Sequence, residues 1–486
     1  MYSVSSKSMP GRGALLLVVF CCWAVVGTAA YSAENAKPSA KPLNILILLS
    51  DDHNFRTLGC AGDPVVKTPN LDALAKQGVR FTHCFTPMPQ CSPSRAAILT
   101  GQDSWTNGVG TGGKAFKPDS PLWPTLLDQA GYQMFYTGKW HNHGMPWDHG
   151  FNTGAAVFVG GMADHRKVPV IQWKESKEQE RPAEKFSSTT FADAAVKFLK
   201  ERDAAKPFCA YVSFTAPHDP WVPPGEFAAI YNPAEMPLPK NFMARPPFKV
   251  PAGFAKLRDQ AVLPYPRTEA DVRRAMVKYY GMVTQLDEQI GRVLQALEDS
   301  GQRENTLVIF AGDHGYSLGS HGFVGKQCMY EEGIRTPLIV YDPRLKRAAP
   351  TCDKLVSLVD FYPTICEAAG VAVPPKVEGK SLLELYAGTA DEAGEKWRKE
   401  IFASHHSPEK HGMSTCCIRT ERYKLIQHLT TGEVEFFDLA ADPWELNNLT
   451  GGVATENIEK VLDAQLIKWR AMGMDRAGAE KKRSAE

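Results

Sequence analysis

Four short apolar runs, each stopping in a cluster of ionisable residues, constrain this chain more than any other feature. Residues 43–49 lead into Ser50-Asp51-Asp52-His53 and residues 132–136 into Thr137-Gly138-Lys139-Trp140-His141. Residues 208–214 lead into Thr215-Ala216-Pro217-His218, and residues 307–310 into Ala311-Gly312-Asp313-His314. None of the runs alternates apolar with polar, so none has a solvated face. That pattern predicts strands buried on both sides, as in a parallel sheet covered by helices. Open α/β sheets bind ligands beyond the carboxyl ends of their strands. Four polar clusters in that position would converge on one crevice.

The stretches between the runs read as helices. Asn70 is a candidate N-cap for a helix over 71–77, stopped by Gly78. Over 269–300, Val272, Met276, Tyr279, Val283, Leu286, Ile290, Val293 and Leu297 recur at helical spacing before Gly301. From 221 to 267 the chain is Pro-rich and aperiodic, the pattern of a functional loop or lid and equally of a plain surface excursion. Residues 418–427 and 433–438 read as strands joined at Thr431-Gly432, followed by a loop over 442–449 and a helix over 458–472. The expected fold is α/β: a large, mostly parallel sheet flanked by helices, with a smaller C-terminal α+β domain bearing an antiparallel sheet.

A chain of 486 residues suits such a pairing. Lys7 and Arg12 precede an apolar run of about 13 residues over 14–26 and the small residues Gly27-Thr28-Ala29-Ala30. This is the layout of a secretory signal peptide, short of the ~20 residues that span a bilayer. The expected organisation is a signal peptide over 1–30, a tether over 31–41, a large α/β domain over 42–390 that carries the four polar clusters, a small C-terminal α+β domain over 395–475 and a tail over 476–486. No membrane span is expected after cleavage. One glycosylation sequon, Asn448-Leu449-Thr450, favours a bacterial periplasm over a eukaryotic secretory route. A net charge of +1 implies no nucleic-acid partner. Two of the eleven cysteines lie in the leader, and no CxxC pair points to zinc.

The most specific segment is Cys91-Ser92-Pro93-Ser94-Arg95-Ala96-Ala97-Ile98-Leu99-Thr100-Gly101. Ser92 can cap a helix and Pro93 suits its first turn. A reactive group at Cys91 would then sit at the positive end of a helix, where anions bind, with Arg95 one turn along. Alone, such a cysteine reads first as a buried structural residue.

Cys-x-Pro-x-Arg followed by Ala-Ala-Ile-Leu-Thr-Gly resembles the signature of the type I sulfatases of the alkaline phosphatase superfamily. Further similar segments are Leu49-Ser50-Asp51-Asp52, Gly138-Lys139-Trp140-His141, Ala216-Pro217-His218, Asp313-His314-Gly315, Gly325-Lys326, residues 357–364 and residues 378–382. Together they span roughly 43–450.

The resemblance implies that a maturation enzyme oxidises Cys91 to Cα-formylglycine, whose hydrate attacks sulfur. It implies one Ca²⁺ per subunit held by Asp51, Asp52, Cys91, Asp313 and His314, the last standing where some members have Asn. Arg95, Lys139 and Lys326 would surround the sulfate, His218 with Lys326 would protonate the leaving oxygen, and His141 would help expel sulfate. The implied activity is hydrolysis of sulfate esters, on sulfated carbohydrates, by an exported protein, periplasmic or secreted.

Two other readings stand beside it: a phosphonate or phosphodiester hydrolase of the same superfamily, and a sulfated-glycan binder without catalysis. Lys139, His141, His218 and Lys326 together favour sulfate. Substrate specificity is expected in loops over 147–181, 221–267 and 404–413, with Trp147, Trp173 and Trp221 as candidates to stack on sugars. His405 and His406 are candidates to reach the substrate, whereas His143, His149 and His411 read as ordinary histidines.

Overall fold

The eight-stranded sheet of the computed structural model carries all four apolar runs at its centre. The structure describes residues 43–110, 115–390, 397–406 and 412–483. The signal peptide and tether expected over 1–41 lie outside the described residues. The sheet is built from β1 (Asn44–Ser50), β2 (Val79–Phe81), β3 (Gln133–Lys139), β4 (Thr153–Phe158), β5 (Phe208–Ser213), β6 (Thr306–Gly312), β7 (Leu338–Tyr341) and β8 (Thr351–Cys352). The spatial order is β8-β2-β7-β6-β1-β5-β3-β4. Strand β1 pairs in parallel with β5 and β6, and β3 with β5 and β4, whereas β7 runs antiparallel to β6 and β2.

The absence of alternation in β1 has a direct cause. Leu46 and Leu48 enter one core, with the helices α1 (Pro69–Gln77), α3 (Ser187–Glu201) and α4 (Glu269–Asp299). Ile45, Ile47 and Leu49 enter another on the opposite face, with α2 (Cys91–Thr100) and α5 (Phe361–Ala369). Every residue of β1 is buried. Each such aliphatic side chain contributes about 1.5–3 kcal/mol on burial, so both faces of the strand stabilise the sheet.

The long helix follows its predicted periodicity and ends one residue early, at Asp299. The first helix begins at Pro69 with Thr68 as N-cap. Asn70, expected as the cap, is instead inside the helix, and its backbone N–H and side-chain amide both donate to Asp287 of α4. Tertiary pairing thus overrides the local capping preference. The Pro-rich stretch is not structureless: it folds into short helical turns that bury Met236, Phe254 and Leu257.

The C-terminal part forms a four-stranded antiparallel sheet of β9 (Glu400–His405), β10 (Thr415–Thr420), β11 (Tyr423–His428) and β12 (Glu433–Asp438). The single strand expected over 418–427 is therefore a hairpin, broken at Glu421-Arg422. Its register pairs Ile418 with Leu425, so apolar residues from both strands share one face and mimic a continuous run. Helix α6 (Glu456–Arg483) lies against this sheet through Leu462 and Leu466 and extends into the region expected as a tail. Among the described residues, no helix is long and apolar enough to cross a membrane, and all nine cysteines are free.

Candidate active site

The carboxyl ends of β1, β3, β5 and β6 meet the N-terminal end of α2. Helix α2 begins at Cys91 itself, with Gln90 as N-cap in extended conformation. The first N–H groups of a helix have no intrahelical acceptor and carry its positive end, so Cys91 lies at an electropositive position. Ser94 ties the helix down by donating its hydroxyl to the Asp313 carbonyl.

Cys91 is buried, with its Sγ 3.1 Å from Lys326 Nζ, 3.3 Å from His314 Nε2 and 3.8 Å from Asp52 Oδ1. Burial and Asp51 oppose ionisation of the thiol. Lys139, Lys326 and His314 outweigh them and hold it below its ordinary range. Lys326 Nζ also bridges Asp52, at 2.7 and 3.0 Å, and His218 Nε2, at 3.1 Å. His218 Nδ1 faces the Asp219 carbonyl at 2.7 Å, and donation there turns the Nε2 lone pair towards Lys326. Burial and then Lys326 push the His218 imidazole well below its ordinary pKa. The proton shared at this pair therefore resides on Lys326.

Arg95 was expected to aim at the same anion as Cys91. Its guanidinium links the strand ends, and its Nη2 lies buried without a hydrogen-bond partner, 3.6 Å from Asp51 Oδ1. Nε donates to Asp313 Oδ2 at 3.0 Å, and Nη1 donates to the Lys139 carbonyl at 3.0 Å and to Ser213 Oγ at 2.5 Å. Lys139 is fully buried with Nζ 2.5 Å from Asp51 Oδ2. Gly138 makes this crowding possible: its φ is +98°, and a Cβ there would fall 1.8 Å from the Ser213 carbonyl oxygen. Two non-glycine residues, Asp52 (φ 61°) and His141 (φ 48°), occupy left-handed backbone. Such strain costs on the order of 1 kcal/mol or more and concentrates at functional sites. The His141 ring stands against Gly161. Burial, and then the Lys139 charge, lowers its pKa to about 3.

The donor set suits a divalent cation. Ligand atoms of Asp51, Cys91, Asp313 and His314 lie within 4.8 Å of one another, as do those of Asp51, Asp52, Cys91 and His218. Asp51 Oδ1 is buried without a hydrogen-bond donor, an oxygen that a cation would satisfy. The carboxylates are hard ligands suited to Ca²⁺. His314 is a softer donor. Burial opposes its charge, but Asp313, Cys91 and Asp52 lift its pKa to about 9.

Other expectations resolve less centrally. Trp221 is buried edge-on against Tyr279 and Tyr316, which stack on each other, so it is not free to stack on a sugar; Trp147 and Trp173 are half-buried and pack edge-on against each other. His405 is buried at the end of β9 with Nδ1 lacking a partner, and His406 packs on Trp105. His143 and His149 bond to each other through the His143 carbonyl, and His411 lies outside the described residues. Sequence reading passed over His165, which bonds the His218 carbonyl at 2.8 Å, and over Asp219, Arg258 and Asp259. Asp219 follows His218 directly and carried a signal. Arg258 and Asp259 sit in the aperiodic stretch, which gave none.

Residues 43–371 match the sulfatase family, and residues 319–472 match the C-terminal region of N-sulphoglucosamine sulphohydrolase. The chain belongs to the sulfatase family and is a sulfuric ester hydrolase. It is 30% identical over 86% of its length to an N-acetylglucosamine-6-O-sulfatase of Bacteroides thetaiotaomicron, covering 84% of that protein. It is 30% identical over 96% of its length to an ulvan-active sulfatase of Formosa agariphila, covering 88% of that chain. A solved structure of a protein in complex with its substrate D-glucosamine-2-N,6-O-disulfate superposes with a TM-score of 0.78 at 29% identity, over 90% of this chain and 99% of the other.

Proposed function

We propose that this protein is an exported carbohydrate sulfatase, periplasmic or secreted, whose nucleophile is Cys91 after conversion to formylglycine by a maturation enzyme. The observation that carries this reading is the surround of Cys91: a buried thiol at a helix start, within 3.3 Å of both Lys326 and His314. A sulfate ester keeps a negative charge near its sulfur, so attack needs cations about its oxygens and a proton for the departing alcohol. Lys326 and Lys139 supply fixed positive charge there, and Arg95 holds Asp313 and the strand ends in place.

The aldehyde at residue 91 adds water to give two hydroxyls. One hydroxyl oxygen, losing its proton to Asp313, bonds to sulfur as the bond from sulfur to the sugar oxygen breaks. That oxygen takes a proton from the Lys326–His218 pair. His141, a neutral imidazole, then takes the proton of the second hydroxyl; the C=O re-forms, the C–O bond to the sulfate breaks, and inorganic sulfate leaves. Asp51, Asp52, Asp313 and His314, with residue 91, would hold one Ca²⁺ per subunit. When bound, it would supply Lewis-acid neutralisation of sulfate charge.

The relatives' names put sulfated sugars first among candidate substrates. The test is to co-express the protein with a formylglycine-generating enzyme and read the mass of the peptide bearing residue 91. Sulfate release is then followed from 6-sulfated N-acetylglucosamine, from ulvan fragments and from an aryl phosphodiester. The expected result is the aldehyde mass with sulfate release from a sugar. Active protein holding only the thiol overturns the maturation step, faster turnover of the phosphodiester overturns the substrate class, and matured protein inert on all three would favour a glycan binder.

A further inference from the structure

Five polar residues outside any single element form a closed ring at the edge of the site. His218 Nδ1 contacts the Asp219 carbonyl at 2.7 Å and Asp219 Oδ1 at 3.3 Å. Asp219 Oδ2 accepts from Arg258 Nη2 at 2.8 Å, and Arg258 Nη1 donates to Asp259 Oδ1 at 2.7 Å. Asp259 Oδ2 accepts from the Lys326 backbone N–H at 3.3 Å, and Lys326 Nζ returns to His218 Nε2 at 3.1 Å. Gly325, at φ +97°, lets Asp259 pack directly on this backbone, since a Cβ there would lie 2.6 Å from the Asp259 Cβ.

Asp219 and Asp259 are buried, whereas the Arg258 side chain is 38% exposed. A surface guanidinium gripped by two buried carboxylates, through two different nitrogens, has little rotational freedom. It ties Asp219, in the loop after β5 that carries His218, to Asp259, which in turn holds the Lys326 backbone N–H. The loops that carry His218 and Lys326 share no strand pairing; beside the contacts of Lys326 with Asp52 and Cys91 and of His218 with His165, this chain of side chains is a further link between them.

From this we infer that Arg258, with Asp219 and Asp259, is a positioning brace that sets His218 and Lys326 at the distance needed to deliver a proton to the leaving oxygen. The inference rests on the role proposed above for that pair. The Pro-rich stretch over 221–267 then serves as an anchor for the proton-delivery pair through Arg258 and Asp259, and not as a lid. Arg258 itself touches no reacting atom in this scheme.

A brace for proton delivery matters most where the leaving group most needs a proton. The experiment uses matured full-length protein and a series of aryl sulfates whose phenols span pKa values from about 5 to 10. Arg258→Ala, Arg258→Lys and Asp219→Asn are compared with wild type by kcat and KM for each ester. The expected loss in kcat/KM for Arg258→Ala is about 10–100-fold on the most basic phenol and within about 3-fold on the most acidic, carried by kcat. Arg258→Lys is expected to recover part of the loss on basic leaving groups, and Asp219→Asn to show the same graded pattern.

Equal losses across the series, or none, overturn the brace. If Arg258→Ala does not fold, the gradient in Arg258→Lys and Asp219→Asn decides in the same way. Failure of matured wild type to cleave any sulfate ester overturns the proposed function and the brace together, and is told apart from failure of the brace alone by the wild-type rates.

Discussion

Two clusters of buried charge can be set side by side in this protein: the one around Cys91 and the one where the C-terminal sheet meets the α/β body. At the junction, Lys424 of β11 is fully buried with Nζ 2.9 Å from Glu331 and 2.6 Å from Glu445. Glu445 also accepts from the Glu331 backbone N–H, and Glu435 accepts from Tyr330 and faces His428. This cluster joins regions distant in sequence. Both clusters hold left-handed non-glycine backbone, at Asp52 and His141 in the site and at Glu445 in the junction, and each has a buried carboxylate oxygen without a hydrogen-bond donor, Asp51 Oδ1 and Glu331 Oε1. The difference is in donor chemistry: among the described residues, Asp, Cys and His ligand atoms crowd within 4.8 Å of one another at the site and not at the junction. Burying charge costs several kcal/mol per ion unless partners compensate. At the junction Lys424 faces two carboxylates; the crowded ligand atoms of the site would suit a divalent cation.

Substitutions in the two clusters should therefore fail in different ways. Cys91→Ala should cut sulfate release by on the order of 10⁴-fold or more while the urea midpoint stays near wild type. A comparable loss of stability would mean the site is also a folding element. Stripping divalent cations from matured enzyme should lower kcat/KM by about 10²-fold or more, with recovery on adding Ca²⁺. Indifference to both treatments would remove the metal assignment.

Lys424→Met should do the reverse. It leaves Glu331 and Glu445 without their shared cation and should cost about 3–5 kcal/mol in urea unfolding. The protein that remains folded should keep a kcat close to wild type. A large fall in its kcat would show that the junction also sets the site.

The smallest expected effect concerns His405, at the edge between the two regions. Burial lowers its pKa from 6.5 to about 4. The unfolded chain therefore binds a proton between these values that the folded chain does not. The folded state keeps its full advantage above pH 6.5 and loses it as pH falls towards 4, by at most about 3 kcal/mol. His405→Gln should flatten that part of the stability–pH curve relative to wild type, and parallel curves would refute the assignment.

Much of the site was legible because its residues follow strand ends. Asp51, Asp52, Lys139, His218 and Asp313 each stand within a few residues of a buried apolar run, and parallel topology brings such positions together. The hairpin at 415–428 was less legible, since two short strands with matching apolar residues read as one. Asn70 looked like a cap because local propensity knows nothing of Asp287, more than 200 positions away.

Local sequence by itself determined the main strands and helices, the candidate position Cys91 and the family, since burial patterns and the Cys91 segment depend on residues close in the chain. Only the tertiary structure decided that Arg95 links the strand ends and that Trp221 is core. It also decided that Arg258 and Asp259 reach His218 and Lys326. Those facts depend on which long side chains meet across loops, where no periodic burial pattern constrains the chain and pairing partners are set by packing of the whole.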